Sequence, residues 1–175
     1  MFKKILLVVA VLIGALLVYA ATKPDDFRVQ RSASIKAPPE KIYALIADFK
    51  QWRTWSPYEK LDPQMKRTLS GADSGQGAVY AWDGDDKAGA GRMEITEARP
   101  GSLVGIKLDF LKPFEAHNKA EFTLAPEGEA TRVTWSMYGP QPYFAKLMGT
   151  FFDMDHMIGK DFEAGLATLK SATEK

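Results

Sequence analysis

The chain has 175 residues, enough for one domain with a substantial core, and its 23 basic and 22 acidic side chains leave a formal charge of +1. So balanced a surface lacks the electrostatic footprint of a nucleic-acid binder. With no cysteine, a disulfide scaffold, a thiol nucleophile and a thiolate metal site are all excluded, and two histidines leave little material for a zinc site.

The N-terminus is a distinct segment. Met1-Phe2-Lys3-Lys4 precedes an unbroken apolar run from Ile5 to Ala21. As a helix that run is ~26 Å long, near the lower limit for crossing the hydrocarbon core of a bilayer. It has no polar face, which argues against a buried core helix. Its length favours an uncleaved signal-anchor. A cleaved signal peptide usually has an apolar region of about 7–15 residues. Val18-Tyr19-Ala20 is nevertheless an acceptable small-residue cleavage site, so removal stays open. Lys3 and Lys4 are expected on the cytoplasmic side, because the far flank offers only Lys23 against Asp25 and Asp26. The remainder is then expected outside the inner membrane, in a periplasm where the cell has one. The organisation read from the sequence is an anchor or signal over residues 1–21, a polar tether over 22–26 and a single domain over 27–175.

Phe27, Val29, Ala33 and Ile35 alternate with Arg28, Gln30, Ser32 and Ser34, the period-2 pattern of a half-buried strand. Arg31 interrupts the apolar face, as an edge position or a snorkelling side chain would. Pro38-Pro39 suits a helix's first turn. Ile42, Leu45, Ile46 and Phe49 then form one apolar stripe, continued by Trp52 and Trp55 as far as Ser56-Pro57. This predicts a helix followed by a second short one.

From residue 66 onward turn signals divide the chain: Ser70-Gly71, Gly75-Gln76-Gly77, Asp83-Gly84-Asp85, Pro100-Gly101, Lys112-Pro113 and Pro126-Glu127-Gly128. Between them strands are predicted over 78–82, 91–97, 103–111, 115–124 and 131–138. Such short links cannot return a chain for parallel pairing, so the sheet is expected to be an antiparallel meander. Val104, Ile106, Leu108 and Phe110 share one face of their strand, Ala120, Phe122 and Leu124 that of the next, and Val133, Trp135 and Met137 that of the last. The cover is expected from the C-terminal segment. Phe144, Leu147, Met148, Phe151 and Phe152 stand at helical spacing, and Ile158, Phe162, Leu166 and Leu169 form a second stripe. A bend is expected between them at Asp153 to His156 or at Gly159.

This order of elements is that of an α+β helix-grip fold: a curved antiparallel meander sheet wrapped around a C-terminal helix. The pieces Phe27-x-Val29-x-Arg31-Ser32, Ala37-Pro38-Pro39-Glu40, Trp52-x-x-Trp55-Ser56-Pro57, Lys112-Pro113-Phe114-Glu115, Asn118, Thr131-x-Val133-Thr134-Trp135 and Gly159-x-Asp161-Phe162-Glu163-x-Gly165-Leu166-x-x-Leu169-Lys170 resemble the START-like (SRPBCC) superfamily. Within it they resemble the polyketide cyclase/dehydrase and lipid transport family, over residues 27 to 172. The resemblance implies a cavity between sheet and C-terminal helix. It offers no single catalytic motif to carry onto this chain, because the family spans binders, carriers and cyclases.

The candidate cavity lining is Phe110, Trp135, Met137, Met148, Phe151, Met154 and Phe162, rigid aromatic walls with adaptable thioethers. Ordinary core packing would use the same residues. Asn118 is in phase with Ala120, Phe122 and Leu124, so its amide should face the covered side and meet either a ligand or a backbone partner. Tyr58, Tyr80 and Tyr143 offer phenols whose spacing does not place them. Asp153, Asp155 and His156 do not make a metal site without a third or fourth convergent ligand, and no cofactor is implied. Glu40, Asp48, Glu59 and Asp62 surround the helical segment, and the inward strand phases hold almost no carboxylate. No convincing catalytic constellation emerges.

The expected function is binding, with transport possible, of a hydrophobic small molecule or lipid, with the membrane as partner through the N-terminal helix and no nucleic acid. Two alternatives stand beside it: a polyketide cyclase/dehydratase-like enzyme, and a protein-partner-binding module whose cavity is filled by its own side chains.

Overall fold

The computed structural model describes residues 2–174. Helix α1 (Phe2–Ala21) is followed by a seven-stranded sheet: β1 (Asp26–Ile35), β2 (Lys66–Gly71), β3 (Ala78–Asp83), β4 (Ala90–Arg99), β5 (Leu103–Lys112), β6 (Ala116–Glu127) and β7 (Ala130–Pro140). Between β1 and β2 lie α2 (Pro39–Ala47) and two 3-10 segments, Phe49–Thr54 and Pro57–Lys60. Helices α3 (Tyr143–Met148) and α4 (Met154–Thr173) close the chain. The sheet order is β1-β7-β6-β5-β4-β3-β2 with every pair antiparallel, and α4 lies across the concave face with Phe162, Leu166 and Leu169 buried. This is the helix-grip fold expected from the sequence.

The strand β2 has no counterpart in the sequence reading. It is an edge strand exposed at nearly every position, so it shows none of the alternation that burial writes into a sequence.

The double-tryptophan segment has the helix and second short helix expected: α2 stops at Ala47, and the 3-10 segment Phe49–Thr54 carries Trp52. The last carbonyls of α2, which no longer have helical partners, are taken up from outside. Trp55 Nε1 donates to Leu45 O (3.1 Å), Trp52 Nε1 to Ile46 O (2.9 Å), and Gly75 N to Ala47 O (2.8 Å). Asp48 then caps the first 3-10 segment by accepting from Lys50 N. The indoles therefore end one helix while their faces join the core.

Two helical glycines set how closely α4 approaches the sheet. A Cβ at Gly165 would lie 2.7 Å from the Trp135 ring. At Gly159, the other, Arg31 of β1 crosses the helix; that residue lies inside α4, and the bend falls at residues 149–153 instead. The guanidinium donates to Glu163 Oε1 (2.8 Å), to both Asp155 carboxylate oxygens (2.8 and 3.2 Å), to Asp155 O (3.1 Å) and to Gln30 O (2.8 Å). Its five N–H donors are thus all used. Arg31 is on an edge strand, as anticipated, and works as a clamp between β1 and α4.

The meander separates the molecule's two ends. The β3–β4 and β5–β6 hairpins, the start of β1, the end of β7 and the start of α4 lie at one end. The β2–β3, β4–β5 and β6–β7 hairpins lie at the other, with the start of α2.

Candidate ligand cavity

Between the sheet and the C-terminal helices is a cavity of about 930 Å³, bounded by β3 to β7, the second 3-10 segment, α3 and α4. This lies within the range of small-molecule sites. The space is open; the protein's own side chains do not fill it, as the partner-module reading would require.

Its deep wall is a ring stack. Trp135 lies parallel to Phe162, with centroids 4.1 Å apart and planes 8° from parallel, and stacks on Phe122 at 4.9 Å on the other side. Trp55 and Tyr58 meet the same indole edge-on, at 5.7 and 6.1 Å. The opposite wall is Trp82, which lies over Gly91 and touches Phe110 at 5.9 Å. A Cβ at Gly91 would be 2.4 Å from that indole, so the glycine is what lets Trp82 lie flat.

Seven of the eight candidate residues border this space: Phe110, Asn118, Trp135, Met137, Met148, Met154 and Phe162. Phe151 does not. It is exposed on the turn between α3 and α4 and borders a separate shallow recess. That turn interrupts the helical spacing on which Phe151 was placed inward.

Several polar groups line the apolar walls. Asn118 is 9% exposed, and no group among the described residues hydrogen-bonds its side-chain amide. The backbone partner considered in the sequence reading is not there. Gly139 makes room for the amide, since a Cβ at that position would lie 2.3 Å from Asn118 Oδ1. Ser56, 1% exposed, also lines the cavity with its hydroxyl unpartnered. Buried polar groups left without partners cost free energy.

A third polar feature is satisfied internally. Tyr80 donates to Glu59 Oε1 (2.5 Å), and Arg67 Nε to Glu59 Oε2 (2.7 Å), while Arg67 also reaches Met65 O (2.6 Å) and Glu59 O (3.1 Å). Burial, reinforced by the neighbouring Glu59 carboxylate, holds the Tyr80 phenol well above its ordinary pKa. Burial likewise raises the Tyr58 phenol, with a smaller contribution from the charge of Asp161. Asp161, at the cavity's edge, is itself pushed up by desolvation.

Tyr58 and Tyr80 therefore belong to the cavity, whereas Tyr143 points away and donates to Leu17 O of α1 at 2.9 Å. Sequence reasoning missed Ser56, Glu59 and Asp161 as lining residues. Ser56 and Glu59 sit on irregular 3-10 structure, where neither period predicts a direction. The other acidic candidates are structural: Asp48 is a cap, Asp62 accepts from Gln64 N and Asp85 N, and Glu40 lies by Gly101 at the far end. Asp153 caps α4 through His156 N and Asp155 holds Arg31, so these two carboxylates serve separate structural roles.

No curated protein matches the chain by sequence. Among solved structures, protein CV1439 from Chromobacterium violaceum is similar in fold (TM-score 0.59, 16% identity, 87% of this chain and 99% of that one). So is the Aha1 dimer from Colwellia psychrerythraea (TM-score 0.59, 18% identity, 85% and 96%). The di-domain ARO/CYC StfQ from the steffimycin biosynthetic pathway gives a TM-score of 0.66 at 10% identity, with 85% of this chain aligned to 51% of that one. At these identities the likeness concerns the fold. The sequence model described as polyketide cyclase / dehydrase and lipid transport matches residues 26–174, nearly the whole chain after α1, and the chain belongs to that family.

Proposed function

We propose that the domain binds, and hands on, a hydrophobic small molecule or lipid in the cavity between sheet and α4. The observation that carries this reading is a large apolar cavity lined by the Ser56 hydroxyl, buried without a partner, and by the Asn118 amide, which no described residue hydrogen-bonds. Apolar ligand surface would supply affinity at ~25 cal/mol per Å², and a ligand hydroxyl or carbonyl would satisfy the two polar groups and fix orientation. Phe110, Trp135, Met137, Met148, Met154 and Phe162 form the walls of that site.

The same reading keeps α1 as a single-pass anchor, with residues 27–175 on the outer face of the membrane. The helix is long and apolar enough to span.

Native mass spectrometry of the full chain released from mild detergent tests the binding. A stoichiometric apolar adduct is the expected result. A clean apo mass, together with no uptake from a panel of fatty acids, phospholipids and aromatic polyketides, overturns it.

A second reading is favoured by one observation, the Tyr58 phenol and the Asp161 carboxyl bordering the same cavity with raised pKa values. A carboxyl whose proton affinity desolvation raises, beside an apolar substrate, suits the proton transfers of cyclisation or dehydration. Turnover of a linear poly-β-ketone that is lost in Asp161→Asn, with ligand retention intact, would select this reading over simple binding.

A further inference from the structure

The domain's exposed apolar side chains are concentrated at one end. Leu111, Phe114, Phe144, Phe151, Phe152 and Met157 are between 52% and 72% exposed, and all lie at the end carrying the β5–β6 hairpin and α3. Among the described residues of the domain, the large exposed apolar side chain outside this end is Leu69; Leu61 lines the cavity next to Asp62, which holds the β3–β4 hairpin of the same end. Four of the six also line the cavity, so the patch is the rim of its mouth. Phe114 and Phe144 meet across that mouth at 6.3 Å. A contiguous apolar rim of this kind marks an interaction surface.

The fold itself places a membrane span beside it. Tyr143 at the start of α3 donates to Leu17 O (2.9 Å), and Lys23 Nζ donates to Gly149 O (2.6 Å). The tether is held by Gln141 N to Asp25 O (2.6 Å) and by the ion pair of Asp25 with the buried Lys146 (2.5 Å). Leu17 is four residues before the end of α1, so Tyr143 meets the span ~6 Å inside its exit point. Tyrosine favours that interfacial level. With the span in a bilayer, α3 is held at the lipid surface, and the apolar rim that it shares lies there too.

Resting on the binding reading above, we infer that the cavity mouth seats on the bilayer, with Phe114, Phe144, Phe151 and Phe152 in the interfacial layer, and that the ligand is an apolar or amphipathic solute of that bilayer. It passes between lipid and cavity without crossing bulk water. The polar hairpins at the far end remain in solvent.

The absence of cysteine makes the test direct. Single cysteines replacing exposed Phe114 or Phe151, and exposed Glu129 on the far β6–β7 hairpin as control, are labelled with an environment-sensitive fluorophore in the full chain. The labelled chains are reconstituted in phosphatidylcholine nanodiscs with and without spin-labelled lipid, and circular dichroism verifies each fold. Both rim probes should be blue-shifted and quenched several-fold more strongly than the Glu129 probe. Rim probes quenched no more than the control overturn the seating, even if the same sample retains an apolar adduct in native mass spectrometry. Quenched rim probes with a cavity that stays empty would instead leave the seating intact and remove the ligand reading on which loading rests.

Discussion

The guanidinium of Arg31 lies flat against Gly159, so closely that a methyl group on that glycine would sit 2.0 Å from Nη2. A glycine in the middle of a helix ordinarily costs about 1 kcal/mol relative to alanine. Its presence in α4 therefore marks a packing requirement. Gly159→Ala should lower stability by about 1–2 kcal/mol, because Arg31 must swing out and leave Asp155 and Glu163. In an Arg31→Ala background the same substitution should become stabilising by up to ~1 kcal/mol, the ordinary helix-propensity gain. Urea unfolding of the four chains of this cycle checks the change of sign; a substitution that destabilises equally in both backgrounds would refute the clamp.

Asn118→Leu removes an amide that is buried without a partner. The melting temperature should stay level or rise, since no internal hydrogen bond is lost. Affinity for a ligand bearing a hydroxyl or carbonyl should fall about tenfold, while a plain hydrocarbon of the same length binds as before. Isothermal titration with a matched alcohol and alkane separates the two. Equal losses for both ligands would mean that Asn118 acts through cavity shape alone.

The Glu59–Arg67 pair is deeply enclosed, with side chains 7% and 15% exposed. Arg67→Met leaves a carboxylate in an apolar wall and should cost ~3 kcal/mol or more. Glu59→Gln keeps one acceptor oxygen, for Tyr80 or for Arg67 but not for both, and should still cost less than Arg67→Met, because the charge it leaves unpaired is on the more exposed partner. Chemical denaturation ranks the two variants.

High pH gives a further test. Tyr58 and Tyr80 have pKa values raised in the folded chain, so between the unfolded value of about 10 and the folded value the native state keeps protons that the unfolded state has lost. Their contribution to stability is complete below pH ~10 and is lost as pH rises through the folded pKa. Absorbance of phenolate near 295 nm should therefore rise in two steps, the second coinciding with loss of the circular-dichroism signal. Smooth ionisation of all six tyrosines in the folded protein would contradict the burial of these two.

The parts of the fold visible in the sequence were those where burial imposes a period. The inward faces of β5, β6 and β7 and the Phe162–Leu166–Leu169 stripe of α4 are buried as the alternation predicts. Where geometry is irregular the signal failed. The second short helix expected around Trp52 and Trp55 is present as a 3-10 segment, but the spacing gave no sign that each indole turns back to cap α2 through its N–H. Phe151 read as inward by the same periodicity, which the turn at 149–153 breaks. Glu59 could not be placed from its neighbours in sequence, since its partners Arg67 and Tyr80 arrive from β2 and β3. Long-range pairing of that kind leaves no local trace.

The ring stack gives the protein its own optical reporter. Trp52, Trp82 and Trp135 line the cavity, and the fourth tryptophan, Trp55, contacts Trp52 at 4.9 Å and Trp135 at 5.7 Å. Every indole in the chain therefore senses the same interior. Filling the cavity changes the polarity around most of the emitting rings at once, and energy transfer among the three contacting indoles spreads any local quenching to its neighbours. Intrinsic emission, with no label added, thus reads whether the cavity is full.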